Sequence, residues 1–206
     1  MQSICERPRD QIQHEMGAWC DLMDRLVERL PPPTKVPAPV RFFAANKNGT
    51  DAIRPQKGQH VENYGALAIT RPATYTEGGR MQLKGNAQRR IVIQTTTGLA
   101  MFGGARSVQD ARRALAAGAA LLPETLCATS SDEGRRLLDA HSHGPAWHAH
   151  IAYLTEPAPP EGPRTFPPVP KQSEISAPAE ALRRCDPNRR IGSQIAIEGI
   201  HPRRSR

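Results

Sequence analysis

The stretch RIVIQTTTGLAMFGGARSVQDARRAL, from Arg90 to Leu115, contains two strand-like segments, a glycine between them and the start of a helix. Gly98 lies between the two segments, where a hairpin turn needs a residue that tolerates positive φ. Gly103 and Gly104 lie where the second strand must change direction into the helix. The stretch therefore predicts a strand, a tight turn, a second strand, a corner and a helix.

Gly98 and Gly103 also have the spacing of the glycines in a phosphate-binding P-loop. A P-loop needs a lysine for the phosphates and a Ser or Thr for magnesium directly after its second glycine. Here Gly104 and Ala105 follow Gly103, so both chemical residues are missing, and the dinucleotide motif G-x-G-x-x-G is absent. We therefore expect the loop to have a structural role.

The segments on both sides of this stretch complete a fold prediction. Ser107 is a candidate helix N-cap with Asp110 three residues later, and an apolar stripe follows up to Pro123. Upstream of Arg90, short strand-like segments alternate with turn-forming residues from Val40 onward. The pattern predicts an α+β domain in which a twisted antiparallel sheet, residues 40–104, is backed by a helix at 107–122.

The amino-acid composition changes at three places along the chain. These changes predict four parts. Two of them are rich in proline, which disfavours helix and core formation. Inside the domain, a second helix is predicted from Ser131 to His141 and a strand at 146–154, and a short helix is predicted near PAEALRRC in the tail. The parts are an N-terminal amphipathic helix that covers the core (1–30), a linker (31–39), the α+β domain (40–155) and a largely disordered tail rich in proline and arginine (156–206).

Charge and cysteine content limit the partners and the compartment. Lys and Arg outnumber Asp and Glu by 28 to 20, which favours a polyanionic partner such as nucleic acid. The cysteines Cys5, Cys20, Cys127 and Cys185 form no C-x-x-C pair, so we expect free thiols and no zinc ribbon. Neither a membrane span nor a signal peptide is evident. We expect an intracellular protein, in the cytoplasm or nucleus, without a membrane partner.

The opening stretch also resembles the end of a repeat in TATA-binding proteins, in which a strand, an S-G-K turn, a second strand and a T-G-A-K-S corner precede a long helix. The corresponding turn here is Thr97-Gly98-Leu99, and the corner runs from Gly103 to Ser107. ENYGALAITRP, from Glu62 to Pro72, is similar to the family's Glu-Tyr-Asn-Pro stretch and the strand after it. The resemblance covers about one repeat, residues 40–122.

The resemblance implies a curved sheet whose concave face meets the DNA minor groove. Family members carry two repeats, so a single one would have to pair with another copy or with a divergent half. The family's wedge phenylalanine corresponds to Thr95, so the wedge is missing, while Arg106 matches the corner lysine. On this basis the predicted nucleic-acid-binding residues are Arg90, Gln94, Thr96, Leu99, Met101 and Arg106.

A histidine cluster supports a competing hypothesis. His141, His143, His148 and His150 lie within ten residues, and a strand that carries His-x-His points both imidazoles to one face, where they can hold a divalent metal. The spacing is similar to the relaxase motif H-x-D-x4-H-x-H. Such nucleases also need a nucleophilic tyrosine on a helix or near the N-terminus, and Tyr64, Tyr75 and Tyr153 do not supply a convincing one.

We therefore expect a non-catalytic, basic DNA-binding protein, such as a divergent or viral transcription factor that resembles one repeat of the TATA-binding fold. No cofactor is expected, apart from a divalent metal if the histidine cluster binds one. The alternatives are a histidine-metal nuclease of a mobile element and a non-catalytic module whose sheet binds another protein.

Overall fold

A computed structural model describes the chain at residues 9–34, 40–43, 50–53, 61–78, 80–84, 89–140 and 169–187. Helices and antiparallel strands are both present, which confirms the predicted α+β class. In chain order the elements are α1 (Arg9–Glu28), β1 (Val40–Phe43), β2 (Thr50–Ile53), β3 (Glu62–Asn63), β4 (Leu67–Thr70), β5 (Ala73–Tyr75), β6 (Met81–Leu83), β7 (Arg90–Gln94), β8 (Ala100–Ala105), α2 (Val108–Leu121), α3 (Pro123–Leu126), α4 (Ser131–Ala140), a 3-10 helix (Gln172–Glu174) and α5 (Pro178–Arg184).

The central sheet has four antiparallel strands in the order β3–β4–β7–β8. Gly98 makes the turn between β7 and β8, with φ of 73°, and its N–H donates to the Gln94 carbonyl at 2.8 Å. Ser107 caps α2, because its hydroxyl accepts from the Asp110 N–H at 3.0 Å and donates to the Asp110 carboxylate at 2.8 Å. Strand, turn, strand and helix thus follow one another between Arg90 and Leu121, but β8 continues through Gly103 and Gly104 to Ala105, so the corner lies at Arg106 and Ser107 and not at the two glycines.

One face of this sheet packs against the helices. α2 buries a face made mostly of alanine, and these small side chains let its axis lie close to the strands. α1 lies on α2 and buries Trp19, Leu22, Met23 and Leu26. Its Asp24 carboxylate accepts two hydrogen bonds from the Arg113 guanidinium, at 2.7 and 3.0 Å. The larger of the two apolar clusters therefore lies between the sheet and the helices.

The other face of the sheet is also covered. β1 with β2, and β5 with β6, form two separate two-stranded antiparallel sheets. A second apolar cluster joins these hairpins to the central strands, and its members are Val40, Phe42, Ile53, Val61, Ala68, Leu83, Ile91 and Ile93. The prediction of one continuous sheet over residues 40–104 is therefore wrong, since the described residues of this range form three sheets in two layers.

Part of the predicted disordered tail is folded. The short helix predicted near PAEALRRC is present as α5, and Leu182 on it is fully buried in the main cluster. Cys185 forms a disulfide with Cys127, so the prediction of free thiols is wrong for these two residues. The sequence did not indicate this disulfide, because the two cysteines are 58 residues apart in the chain. They come together only through the packing of α5 against α2 and α3.

Within the described residues, the helices are too short or too polar to cross a lipid bilayer.

Candidate nucleic-acid interface

Four arginines lie at one end of the central sheet, and we call this set the basic end: Arg71, Arg89, Arg90 and Arg106. Each flanks or begins a strand at the point where β4 ends, β7 begins and β8 ends. The register aligns Thr70 with Ile91 and Arg90 with Ala105, so the three strands bring these arginines to neighbouring positions. Arg89 and Arg106 are exposed, and Arg71 and Arg90 are half-buried.

Arg71 and Arg90 line a cavity of about 230 Å³ next to the first residue of α2. Its other lining residues are Glu62, Ile69 and Val108. Side chains alternate along a strand, so Ile69 and Arg71 share the face of β4 that looks toward α2. The basic end therefore has an outer part, formed by the exposed arginines, and a recessed part, formed by the arginines of the cavity.

The carboxylates next to the basic end are already engaged. Glu62 accepts two hydrogen bonds from the Arg112 guanidinium, at 2.9 and 2.7 Å, and a third from the Tyr64 hydroxyl at 2.9 Å. The Asp110 carboxylate accepts a hydrogen bond from the hydroxyl of the cap residue Ser107 and lies 3.6 Å from the Arg113 guanidinium. Glu62 and Asp110 are thus paired with Arg112 and Arg113, which lie outside the basic end, while Arg89 and Arg106 place exposed positive charge on this surface.

Two of the six predicted nucleic-acid-binding residues belong to the basic end, namely Arg90 and Arg106. Arg71 and Arg89 were not among the predicted residues, although their positions in the sequence carry a usable signal. Arg71 directly follows a strand-like segment, and Arg89 directly precedes one. A search for basic residues at strand boundaries would have found both, but their proximity depends on the antiparallel pairing of β4, β7 and β8.

Gln94, Leu99 and Met101 do not form a binding surface. Their exposed fractions are 0, 6 and 1%, so a nucleic acid could not contact these side chains without opening the core. Gln94 has a structural role, because its Nε2 donates to the carbonyls of Thr125, Leu126 and Ala128 at 2.8, 2.9 and 3.3 Å. The prediction of contacts by these three side chains is therefore corrected.

Thr96 is half-buried in the turn between β7 and β8, at the opposite end of the sheet from Arg90 and Arg106. Its carbonyl accepts a hydrogen bond from Arg41 at 3.3 Å. Thr95, which occupies the position of the family's wedge, donates its hydroxyl to the Gly65 carbonyl at 2.7 Å. The residues that the resemblance grouped into one surface thus lie at two ends of the sheet and in its core.

The sheet face away from α2 cannot serve as an open concave surface where the hairpins lie on it. Ala68, Ile91 and Ile93 on this face are buried against residues of β1, β2 and β6. A nucleic acid that used this face in the manner implied by the resemblance would have to displace those hairpins. The exposed arginines of the basic end are accessible without such a change.

The predicted metal ligands His141, His143, His148 and His150 lie outside the described residues. Among the residues that are described, no group of three or more His, Cys, Asp or Glu side chains could hold a metal ion. The strand predicted at 146–154 also lies outside them.

Comparisons of the chain with protein-family models, with curated proteins and with solved structures give no match.

Proposed function

We propose that this chain is a DNA-binding protein that holds the duplex through phosphate contacts made by the basic end. The observation that carries the proposal is the convergence of four arginines, Arg71, Arg89, Arg90 and Arg106, at one end of the sheet, where Arg89 and Arg106 are exposed. Guanidinium groups donate two parallel hydrogen bonds to phosphate and stay charged at any physiological pH. An intracellular location belongs to this proposal.

The dimensions of the basic end suit a nucleic-acid backbone. Neighbouring strands lie about 4.8 Å apart, so three strands span about 10 Å. The axial rise of DNA is about 3.4 Å per base pair, so the same distance covers about three base pairs. Arginines at the ends of these strands can therefore contact phosphates that lie within about three base pairs of one another.

The order of strands, corner and helix supports a repeat similar to that of TATA-binding proteins, and the burial of the other sheet face argues for a different mode of contact. A wedge side chain offsets the cost of unstacking bases, and Thr95 supplies none. Phosphate contacts position a protein on DNA without reading its sequence. We accordingly propose DNA binding with weak sequence preference, and not recognition of a TATA element.

The proposal is tested by measuring affinity for a short duplex between 50 and 200 mM salt. The test variant replaces the exposed Arg89 and Arg106 by Gln, and the matched control replaces Arg183 and Arg184 of α5 by Gln. Arg184 lies beside Pro123, beyond the C-terminal end of α2, whereas the basic end lies at the N-terminal end of that helix. Both variants remove two exposed positive charges.

Each phosphate contact contributes about −0.9 to the slope of log K against log salt. If each exposed arginine neutralises one phosphate, the slope of the test variant should be shallower by about two. The slope of the control variant should differ from that of the original chain by less than about half of the contribution of one phosphate contact. Undetectable duplex binding at 50 mM salt would exclude the proposed function. Equal losses in the two variants would show that binding depends on net charge and not on the basic end.

A further inference from the structure

The disulfide between Cys127 and Cys185 attaches the C-terminal segment, defined here as residues 169–187, to the core. The two Cα atoms are 4.9 Å apart, within the range of native disulfides. Cys127 lies at the C-terminal end of α3, and Cys185 follows α5 directly. Residues 58 positions apart in the chain are thus joined across the surface formed by α2 and α3.

The non-covalent attachment of this segment comes from α5 and from Val169 and Ile175, which are partly buried against the main apolar cluster. Leu182 is its fully buried large side chain, with Pro178, Ala181 and Cys185 also buried. The Ser176 N–H donates to the Ala120 carbonyl at 3.0 Å, and the side chain of Asp186 lies against Gly65. α5 has seven residues, too few to be a stable helix without packing. The disulfide therefore adds a covalent link to an attachment that otherwise depends on the packing of a short helix and its neighbours.

Among the described residues, hydrogen bonds attach the turn around Cys127, but not Cys185, to the central sheet. The turn around Cys127 is fixed to the central strand β7, because Gln94 donates to the carbonyls of Leu126 and Ala128 on either side of it. The Gln94 amide is oriented in turn by a hydrogen bond from the Thr97 hydroxyl. If the disulfide breaks, Cys127 stays with the core, and the side that becomes free to move is the C-terminal segment.

The two cysteine residues differ in exposure. Cys127 is half-buried, whereas Cys185 is 3% exposed, so Cys127 is the residue of the pair that lies nearer the surface and an external thiolate would approach from its side. Cys20 is a free cysteine in α1. Burial raises the pKa of its thiol, which leaves little thiolate at neutral pH to attack the disulfide from within.

We propose that the Cys127–Cys185 disulfide is a redox-sensitive attachment that releases the C-terminal segment from α2 and α3 when it is reduced. A dithiol reductant supplies two electrons and two protons. The S–S bond breaks, each cysteine becomes a thiol, and the reductant becomes a disulfide. Release uncovers the apolar surface of α2 and α3 that Leu182 covers in the oxidised chain. This inference does not depend on DNA binding.

Limited proteolysis of the full chain tests the proposal. Trypsin is added to the oxidised protein and to the protein treated with dithiothreitol, and mass spectrometry follows cleavage after Arg183 and Arg184. Both residues are exposed on α5, so cleavage is limited by opening of the helix and reports the released population. Cleavage after Arg25 is the internal reference, because α1 stays packed through Met23 and Leu26.

We expect reduction to expose two additional thiols per chain and to accelerate cleavage after Arg183 and Arg184 about tenfold, with cleavage after Arg25 unchanged, as expected for local opening. The variant with Cys127→Ser and Cys185→Ser should be cleaved at the fast rate with or without reductant. Cys20→Ser should respond as the original chain does. Reoxidation with glutathione disulfide should restore the slow rate.

Two outcomes would overturn the proposal. One is a change of less than twofold at Arg183 and Arg184 although two additional thiols have appeared, since the segment would then stay attached without the disulfide. The other is equal acceleration at Arg25, since the disulfide would then stabilise the whole domain and not the segment alone.

Discussion

Glu62 on β3 and Arg112 on α2 form a two-point ion pair that joins the sheet to the helix beside the basic end. The distances are 2.9 and 2.7 Å, and the two side chains keep 22 and 36% of their surface exposed. Partial burial and paired geometry make this interaction stronger than a fully exposed ion pair. The pair also orients Glu62 to accept the Tyr64 hydroxyl.

A double-mutant cycle with Glu62→Gln and Arg112→Gln should give a coupling free energy of about 1 kcal/mol, at the upper end of values for partly exposed pairs. Urea denaturation of the four proteins at neutral pH provides the measurement. The cycle for Asp110 and Arg113, whose charged atoms are 3.6 Å apart, is the matched control and should give a smaller coupling. A Glu62–Arg112 coupling near zero would contradict the stabilising role assigned to the pair.

Tyr64 should make the fold sensitive to alkaline pH. Burial, and then the hydrogen bond to Glu62, raise the pKa of Tyr64 to about 12 from 10.0. The unfolded chain therefore loses this proton at a lower pH than the folded chain, and the stability that the group contributes is lost as pH rises from 10 to 12. Two pH units correspond to at most about 2.7 kcal/mol.

Tyr64→Phe removes this titrating group, so its free energy of unfolding should fall less between pH 9 and pH 11.5 than that of the original chain. Tyr75, which is 41% exposed, supplies the control. Tyr75→Phe should change the pH dependence less than Tyr64→Phe does. If the free energy of unfolding falls equally with pH in the original chain and in Tyr64→Phe, the raised pKa of Tyr64 is contradicted.

Gln94→Leu should be among the most destabilising single changes in the chain. It removes the donor shared by three buried carbonyls and leaves the Thr97 hydroxyl without its acceptor. Loss of a buried partner costs about 1–3 kcal/mol, and several groups are affected here, so we expect about 3 kcal/mol. Thr96→Val, in the same turn but half-buried, should cost less than about 0.5 kcal/mol. Chemical denaturation gives both values, and similar losses would refute the role assigned to Gln94.

Thr70→Val should stabilise the protein. The Thr70 hydroxyl is fully buried and has no hydrogen-bond partner among the described residues. Valine has the same shape without the polar atom, so the desolvation cost of roughly 1 kcal/mol is recovered. Thr70→Ser keeps the hydroxyl, loses the methyl group and should be less stable than the original chain. A midpoint of thermal unfolding that does not rise in Thr70→Val would argue against an unsatisfied hydroxyl.

Gly98→Ala should destabilise the hairpin formed by β7 and β8. With φ of 73°, Gly98 lies in the left-handed region, where an alanine costs about 1–2 kcal/mol. Gly78 is the control, since its φ is not positive and the nearest atom to an added methyl group is 3.9 Å away. Gly78→Ala should change stability by less than about 0.5 kcal/mol in the same thermal scan. If Gly98→Ala did not lower the midpoint of thermal unfolding, the turn would accommodate alanine by changing its backbone conformation, and the prediction would be wrong.

The sequence alone determined the local order of elements from Arg90 to Leu121. Gly98 marks the turn because it is free to adopt positive φ, Ser107 marks the helix start because its hydroxyl caps a backbone N–H, and the alanine stripe marks the buried face of α2. These are local effects of backbone sterics, hydrogen bonding and periodicity. The sequence also located two members of the basic end, Arg90 and Arg106.

Tertiary structure alone decided which residues meet. Gln94 has a polar side chain on a strand and looks like a surface residue, and only the turn at Thr125–Ala128 supplies the carbonyls that make its burial favourable. Arg71 joins Arg90 through the pairing of β4 with β7, and Cys185 joins Cys127 through the docking of α5. Each of these contacts depends on long-range packing, whose free energy is shared among residues far apart in the chain and leaves no periodic pattern in the sequence.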